Sequence, residues 1–208
     1  MKCSLRHEKL LRTNGCNIVA GIDEAGRGPL AGPVVAAIAI LPANFRHGFL
    51  RDSKQLTHKQ RDEIYSELTT RKNLFWAVEV VENEEIDRIN ILRATHEAMR
   101  RTARRLFPQP DHVLIDGLPV PHFPLPHTAL VGGDGLSYSI AAASVIAKVT
   151  RDRIMAQMDE LHPGYDFSRH KGYGTALHLE RLKEHGPCPI HRRTFLPVRQ
   201  ALFPFAEA

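Results

Sequence analysis

Four acids stand out for their setting. Asp23 and Glu24 close a short apolar run beginning at Asn17, Asp116 closes His112-Val-Leu-Ile-Asp116, and Asp134 sits in Val-Gly-Gly-Asp-Gly just ahead of a long helical pattern. In α/β sheets sites are built at the carboxyl ends of strands. If the two strands are neighbours, three carboxylates converge, and Asp134 joins them near the positive end of a helix. Such a cluster repels itself unless cations neutralise it. Oxygen donors without convergent His or Cys select Mg²⁺ or Mn²⁺ over zinc. Two such ions roughly 4 Å apart serve phosphodiester hydrolysis, by activating water and stabilising the leaving oxygen. Each acid taken alone also fits a turn or a helix cap. The adjacent pair Asp23-Glu24 is the sharper signal, because it sets charge beside a core.

The elements that must position these acids follow from periodicity. Asn17–Ile22 reads as a buried strand, and Pro33–Leu41 as a second after the loop Ala25–Gly32. Thr57–Arg71 reads as a helix opened by a capping box, Thr57-x-x-Gln60. Leu74–Val81 is a third strand, with Trp76 as core packing. Asn90–Phe107 is a helix whose apolar face comprises Ile91, Leu92, Thr95, Ala98, Met99, Thr102 and Leu106, with Arg100–Arg105 on the wet side. His112–Asp116 and Thr128–Val131 are strands four and five. A long helix runs from Leu136 to about Leu161, and Thr175 caps a last one ended by Gly186-Pro187. The tail reads as irregular and basic. Strands first and helices later give one α/β domain around a mixed sheet.

The loop Gly26-Arg-Gly-Pro-Leu-Ala31 satisfies a loose dinucleotide pattern, and Asp52 lies at a tempting distance beyond it. Pro29 and Gly32-Pro33 disfavour a helix there, so no helix N-terminus is available for a pyrophosphate. Two glycines flanking an arginine can instead bring backbone close to a sugar-phosphate chain.

Bulk properties agree. The chain has 208 residues, 43% hydrophobic, a formal charge of +5 and a pI near 9.3, which suits one core and an anionic partner. Cys3, Cys16 and Cys188 are too dispersed for a disulfide framework or a zinc site, and suit a reducing cytosol. The apolar run Val34–Leu41 is too short to span a bilayer, and Met1–Leu11 lacks a signal-peptide core, so a soluble cytoplasmic protein is expected. A monomer is the default expectation. A non-catalytic nucleic-acid module is the main rival, but four acids on its binding face would repel phosphate. No G-x-S-x-G elbow supports a serine hydrolase.

Gly21-Ile-Asp-Glu-Ala-Gly-Arg-Gly-Pro-Leu-Ala-Gly-Pro-Val34 resembles the opening motif of bacterial ribonuclease HII, the type 2 ribonuclease H. Further matches follow in order: Asp52-Ser-Lys54, Ile115-Asp-Gly117, Gly133-Asp134, Ser139–Asp152, His170-Lys-Gly-Tyr-Gly-Thr175 and His191-Arg-Arg-Thr-Phe195. The resemblance implies a ribonuclease H-like fold, a central mixed β-sheet flanked by helices, with a C-terminal helical extension. It also implies cleavage 5′ of ribonucleotides in RNA/DNA hybrids and of single ribonucleotides in duplex DNA, leaving a 3′-hydroxyl and a 5′-phosphate. Asp23, Glu24, Asp116 and Asp134 would be the catalytic metal ligands. Gly26, Arg27 and Gly28 would read the ribose 2′-hydroxyl and the junction with DNA, and Tyr173 would pack beneath the junction sugar. Ser53 and Lys54 could grip a phosphate, and Lys148 would face the site. His170, Lys171, His191, Arg192 and Arg193 would form a basic lid within the segment of about 162–208. The tail Gln200-Ala-Leu-Phe-Pro-Phe205 loosely resembles sliding-clamp-binding peptides, against the competing reading that its aromatics tuck onto the domain.

Overall fold

The computed structural model describes residues 3–47, 50 and 56–202. Five strands form one sheet: β1 (Val19–Ala25), β2 (Val34–Ile40), β3 (Phe75–Val81), β4 (His112–Asp116) and β5 (His127–Leu130), in the order β3-β2-β1-β4-β5. β3, β2 and β1 run antiparallel, while β1, β4 and β5 run parallel, so the sheet is mixed as expected. The helices are α1 (Arg6–Thr13), α2 (His58–Thr70), α3 (Asn83–Ile89), α4 (Ile91–Arg105), α5 (Tyr138–Leu161), α6 (Phe167–His170), α7 (Ala176–His185) and α8 (Leu196–Leu202).

β2 is apolar throughout because both its faces are covered. Val35, Ala37 and Ala39 pack with α5 and α2, and Val34, Ala36, Ile38 and Ile40 pack with α4. The period of two therefore divides one strand between two cores. The expected capping box at Thr57 is present, with Gln60 N–H bonded to the Thr57 hydroxyl and Thr57 N–H to the Gln60 side chain. Asn90 caps α4, Ser137 caps α5 and Thr175 caps α7.

Some expectations need correction. Trp76 is not core: it lies 36% exposed on the edge strand β3, its indole N–H donating to Thr69 O at 3.4 Å. Leu92 is exposed, since the buried face of α4 begins at Ala94. Arg100 and Arg101 are not simply solvated: they bond Glu97, and Arg101 also grips Glu85. The tail is not irregular throughout, because residues 196–202 form α8. Asp23 and Glu24 lie inside β1 rather than after it. Among the described residues no helix is long and apolar enough to cross a membrane.

Candidate active site

Register brings two acids together. Ile22 pairs with Ile115 across the parallel strands β1 and β4, so the next residues on each, Asp23 and Asp116, are neighbours. Alternation also puts them on one face of the sheet. Ile22 and Ile115 pack towards α4, whereas Leu114, two residues before Asp116, packs against Ile140 of α5. Asp23 and Asp116 thus face α5, and Ser144 of that helix hydrogen-bonds the Asp23 carboxylate. Glu24 turns to the other face and takes a 3.3 Å contact from Arg27.

The start of α5 reaches this face because Gly21 has no side chain. A Cβ there would stand 2.2 Å from Ile140 N, so helix and strand meet backbone to backbone. Ahead of α5, residues Gly133–Gly135 make one 3₁₀ turn carrying Asp134, which is buried. The Gly133 N–H donates to Asp116 Oδ1 at 2.6 Å, tying that turn to the end of β4. Asp23, Glu24 and Asp116 therefore come together at one end of the sheet, and the turn carrying Asp134 is tied to Asp116.

Electrostatics mark the cluster. Burial, then the charges of Glu24 and Asp116, push the Asp23 carboxyl well above its ordinary range. Burial, and more weakly Asp116, raise Glu24 against the opposing pull of Arg27. All four donors are carboxylates, the chemistry that suits a hard divalent cation. Among the described residues no group of three or more His, Cys, Asp or Glu side chains already stands in a metal-holding arrangement.

Directly after the acids of β1 comes the loop of residues 26–33, whose Arg27 contacts Glu24. Gly26 sits at φ +100°, where a Cβ would strike the Arg151 side chain. The Tyr173 ring lies alongside Gly28, where a Cβ would stand 3.7 Å from the ring edge. Tyr173 is 42% exposed. Lys148 Nζ lies 5.9 Å from that ring and donates to Asp152 Oδ1 at 2.8 Å. Lys171 takes a left-handed conformation (φ +52°), and its carbonyl accepts from Arg151 at 2.9 Å. Ser53 and Lys54 lie outside the described residues, as does the end of the tail from Phe203.

The basic lid is only partly a lid. His170, His191 and Arg192 are buried, leaving Arg193 exposed and Lys171 half-buried. Arg192 instead holds the loop from behind, donating to the carbonyls of Gly26 (2.6 Å), Arg27 (3.0 Å), Gly32 (2.9 Å) and Pro33 (3.1 Å). Arg151 does likewise to Ala31 at 3.1 Å and Pro33 at 2.9 Å. Burial, then the neighbouring Arg151, lower the Arg192 guanidinium to about 9. Neither arginine's role was visible in sequence, where each sits among basic neighbours. Their sequence neighbours, Thr150 and Asp152 for one and His191 and Arg193 for the other, carry no local signal of burial. Glu8 was missed altogether: buried on α1, it accepts from the Ser137 and Ser139 hydroxyls at 2.6 Å each and anchors the start of α5.

Comparison with known proteins bears on this arrangement. The family model described as Ribonuclease HII matches residues 20–198. A ribonuclease HII of Anaeromyxobacter sp. (strain Fw109-5) is 50% identical over 198 residues, covering 95% of this chain; the chain spans only 62% of that relative's length. The ribonuclease H2 of Pyrococcus horikoshii OT3 superposes with a TM-score of 0.75 at 29% identity, over 92% of this chain and all of that one. The RNase HII in a PCNA:RNase HII complex from Archaeoglobus fulgidus superposes with a TM-score of 0.70 at 28% identity, over 86% of this chain and 95% of that one. With a family match over most of its length and the same mixed sheet as these solved relatives, this chain belongs to the ribonuclease HII family, a family of nucleases.

Proposed function

We propose that this chain is an endonuclease that hydrolyses the phosphodiester on the 5′ side of ribonucleotides. Its substrates are RNA/DNA hybrids and duplex DNA carrying single ribonucleotides. The observation that carries this reading is the shared face of Asp23 and Asp116 beneath the start of α5, supported by the Tyr173 ring lying alongside the Gly28 backbone. Asp23, Glu24, Asp116 and Asp134 would hold Mg²⁺ or Mn²⁺. Bound cations of this kind supply activated water and neutralise charge on the leaving oxygen.

The chain's own residues do the rest. Gly133 N–H fixes one oxygen of Asp116 at the end of β4. Ser144 orients Asp23. Gly26, Arg27 and Gly28 present backbone to the ribose, and the absence of side chains on two of them permits close approach. Only a 2′-hydroxyl separates ribose from deoxyribose, so a close backbone contact and one aromatic ring suffice to discriminate. Lys148 borders the Tyr173 ring, Lys171 lies two residues before it in the chain, and both suit backbone phosphates, as Ser53 and Lys54 would. Water adds to phosphorus as the bond to the preceding 3′-oxygen breaks, leaving a 3′-hydroxyl and a 5′-phosphate.

We read the chain as one catalytic domain acting as a cytoplasmic monomer. The tail Gln200–Phe205 would contact a sliding clamp, a reading supported by the clamp complex of the Archaeoglobus relative. A clamp pull-down unaffected by deletion of the last nine residues would end it. The central experiment is incubation with labelled duplex DNA containing one ribonucleotide, with Mg²⁺, Mn²⁺ or chelator. Metal-dependent incision 5′ of the ribonucleotide is expected, and incision of all-DNA duplex at the same rate would overturn the reading.

A further inference from the structure

Three buried histidines surround the backbone of Tyr173, and their partners assign the role of each ring nitrogen. The Gly172 N–H donates to His170 Nδ1 at 3.1 Å, so the His170 proton resides on Nε2, which donates to Tyr165 O at 2.7 Å. The Cys188 N–H donates to His191 Nδ1 at 3.0 Å. His191 therefore carries its proton on Nε2, which faces His178 Nε2 at 3.1 Å. His178 must accept there, and its Nδ1–H donates to the Tyr173 carbonyl at 3.0 Å. The opposite tautomer of His191, aimed at Cys188 O at 3.3 Å, would set two N–H groups against each other across 3.0 Å.

The His170 and His178 rings stack, with centroids 4.3 Å apart and 13° between planes. The Gly172 amide and the Tyr173 carbonyl, one on either side of Tyr173, thus end on two stacked imidazoles. The segment is also seated on the loop opposite. Leu30 N–H donates to Gly172 O at 2.8 Å, and Gly172 lies at φ +81°, where a Cβ would stand 2.5 Å from Ala31 O. Little slack remains between the histidines and the loop that Tyr173 faces.

We propose that His178 and His191 are positioning residues: a relay of two neutral imidazoles, running from the Cys188 amide to the Tyr173 carbonyl, sets the Tyr173 ring against Gly28 and so supports action at a single ribonucleotide. This rests on the reading of Tyr173 as the platform for the junction sugar. The relay works only while both rings are neutral: a proton added to His178 sets Nε2–H against Nε2–H, and one added to His191 sets Nδ1–H against the Cys188 N–H. Their surroundings keep them so. Burial holds both near 4, with His170 adding to it for His178, and His178, His162 and His170 for His191. The charged groups nearest the cluster, Asp166, Asp159 and Arg169, act on His170. Tyr165 and Cys188, the other titratable neighbours, are both raised by burial and stay uncharged.

Two measurements test the relay. In the wild-type chain, long-range ¹⁵N–¹H correlation at neutral pH should show His191 as the Nε2–H tautomer and His178 as the Nδ1–H tautomer. The reverse assignment for either ring overturns the proposal. In the second, kcat and KM are measured on a duplex with one ribonucleotide and on a continuous hybrid. His178→Phe, which keeps the ring and removes the donor, should lower kcat on the single-ribonucleotide duplex by about tenfold more than on the hybrid. His178→Asn, whose amide can replace the Nδ1 donor, should restore most of that ratio. If Tyr173→Ala shifts the ratio and a folded His178→Phe does not, the relay is wrong while the platform reading stands. If Tyr173→Ala leaves the ratio unchanged, the platform reading itself fails and the relay's role in selectivity with it.

Discussion

The Gly133 amide donates to Asp116 Oδ1 at 2.6 Å, joining the end of β4 to the turn that carries Asp134. Asp152, the other acid within a matching motif, lies several turns into α5, where Lys148 holds its Oδ1 at 2.8 Å. Asp134→Asn should therefore cost far more activity than Asp152→Asn, on the order of a hundredfold against a few-fold. Side-by-side rates on one substrate check this, and the reverse order would move the site.

Asp23→Asn should cut turnover by about a thousandfold or more, because it would remove one of the proposed metal ligands without changing volume. Its effect on stability should have the opposite sign. A carboxyl raised by burial and by its neighbours favours folding while protonated, and that contribution is lost as pH rises through the raised value. At neutral pH without metal the ionised cluster destabilises the fold. Asp23→Asn should raise the metal-free Tm by several degrees, at ~2–4 °C per kcal/mol for a chain of this size. Saturating Mg²⁺ or Mn²⁺ should raise the wild-type Tm and move the variant less. A lowered Tm in the metal-free variant would count against the assignment.

Arg192→Met should destabilise the protein by about 2–4 kcal/mol, because carbonyls of the 26–33 loop lose a buried donor. Arg192→Lys should recover only part, since one ammonium cannot reproduce the planar fork. Thermal or urea unfolding reads the difference. A loss below about 1 kcal/mol for Arg192→Met would show that the loop does not depend on this guanidinium.

Acid should loosen the C-terminal half first. His178 and His191 lie at about 4 in the folded chain against an ordinary 6.5, so between those values the unfolded chain binds more protons. Stability is then fully present above about pH 6.5 and falls as pH drops towards 4. Hydrogen exchange at residues 170–192 should rise across that window in wild type. A double variant, His178→Phe with His191→Phe, should show a flatter pH dependence of Tm, and an unchanged slope would refute the assignment.

Tyr173→Ala should impair incision at a single ribonucleotide more than on a continuous hybrid, which offers many alternative registers. Removing an aromatic platform from beneath a nucleotide costs ~1–3 kcal/mol, so a roughly tenfold difference between substrates is expected. If the wild-type protein cuts only substrates with several consecutive ribonucleotides, junction reading by Gly26, Arg27, Gly28 and Tyr173 is wrong.

What could be known from sequence was whatever depends on local pattern. The apolar runs ending in Asp23-Glu24 and Asp116 announced two buried strands with acid at one end. The Thr57 and Thr175 caps marked helix starts because a cap is a relation between residues three apart. The pair Asp23-Glu24 and Asp116 could be singled out in sequence because burying unpaired charge is costly enough to be rare, and the fold does bring these three together. Trp76 and Leu92 went wrong for the converse reason: an edge strand and a helix flank carry apolar residues that only neighbouring elements, or their absence, can cover. Tertiary structure alone decided that β1 lies beside β4, that Gly21 lets α5 approach the strand closely, and that the turn carrying Asp134 is tied to Asp116. It alone turned Arg192 inward, 166 residues from the Gly26 carbonyl it holds. A guanidinium looks the same in sequence whether it meets solvent phosphate or a buried carbonyl. The choice depends on what the fold brings opposite it, and that partner lies far along the chain.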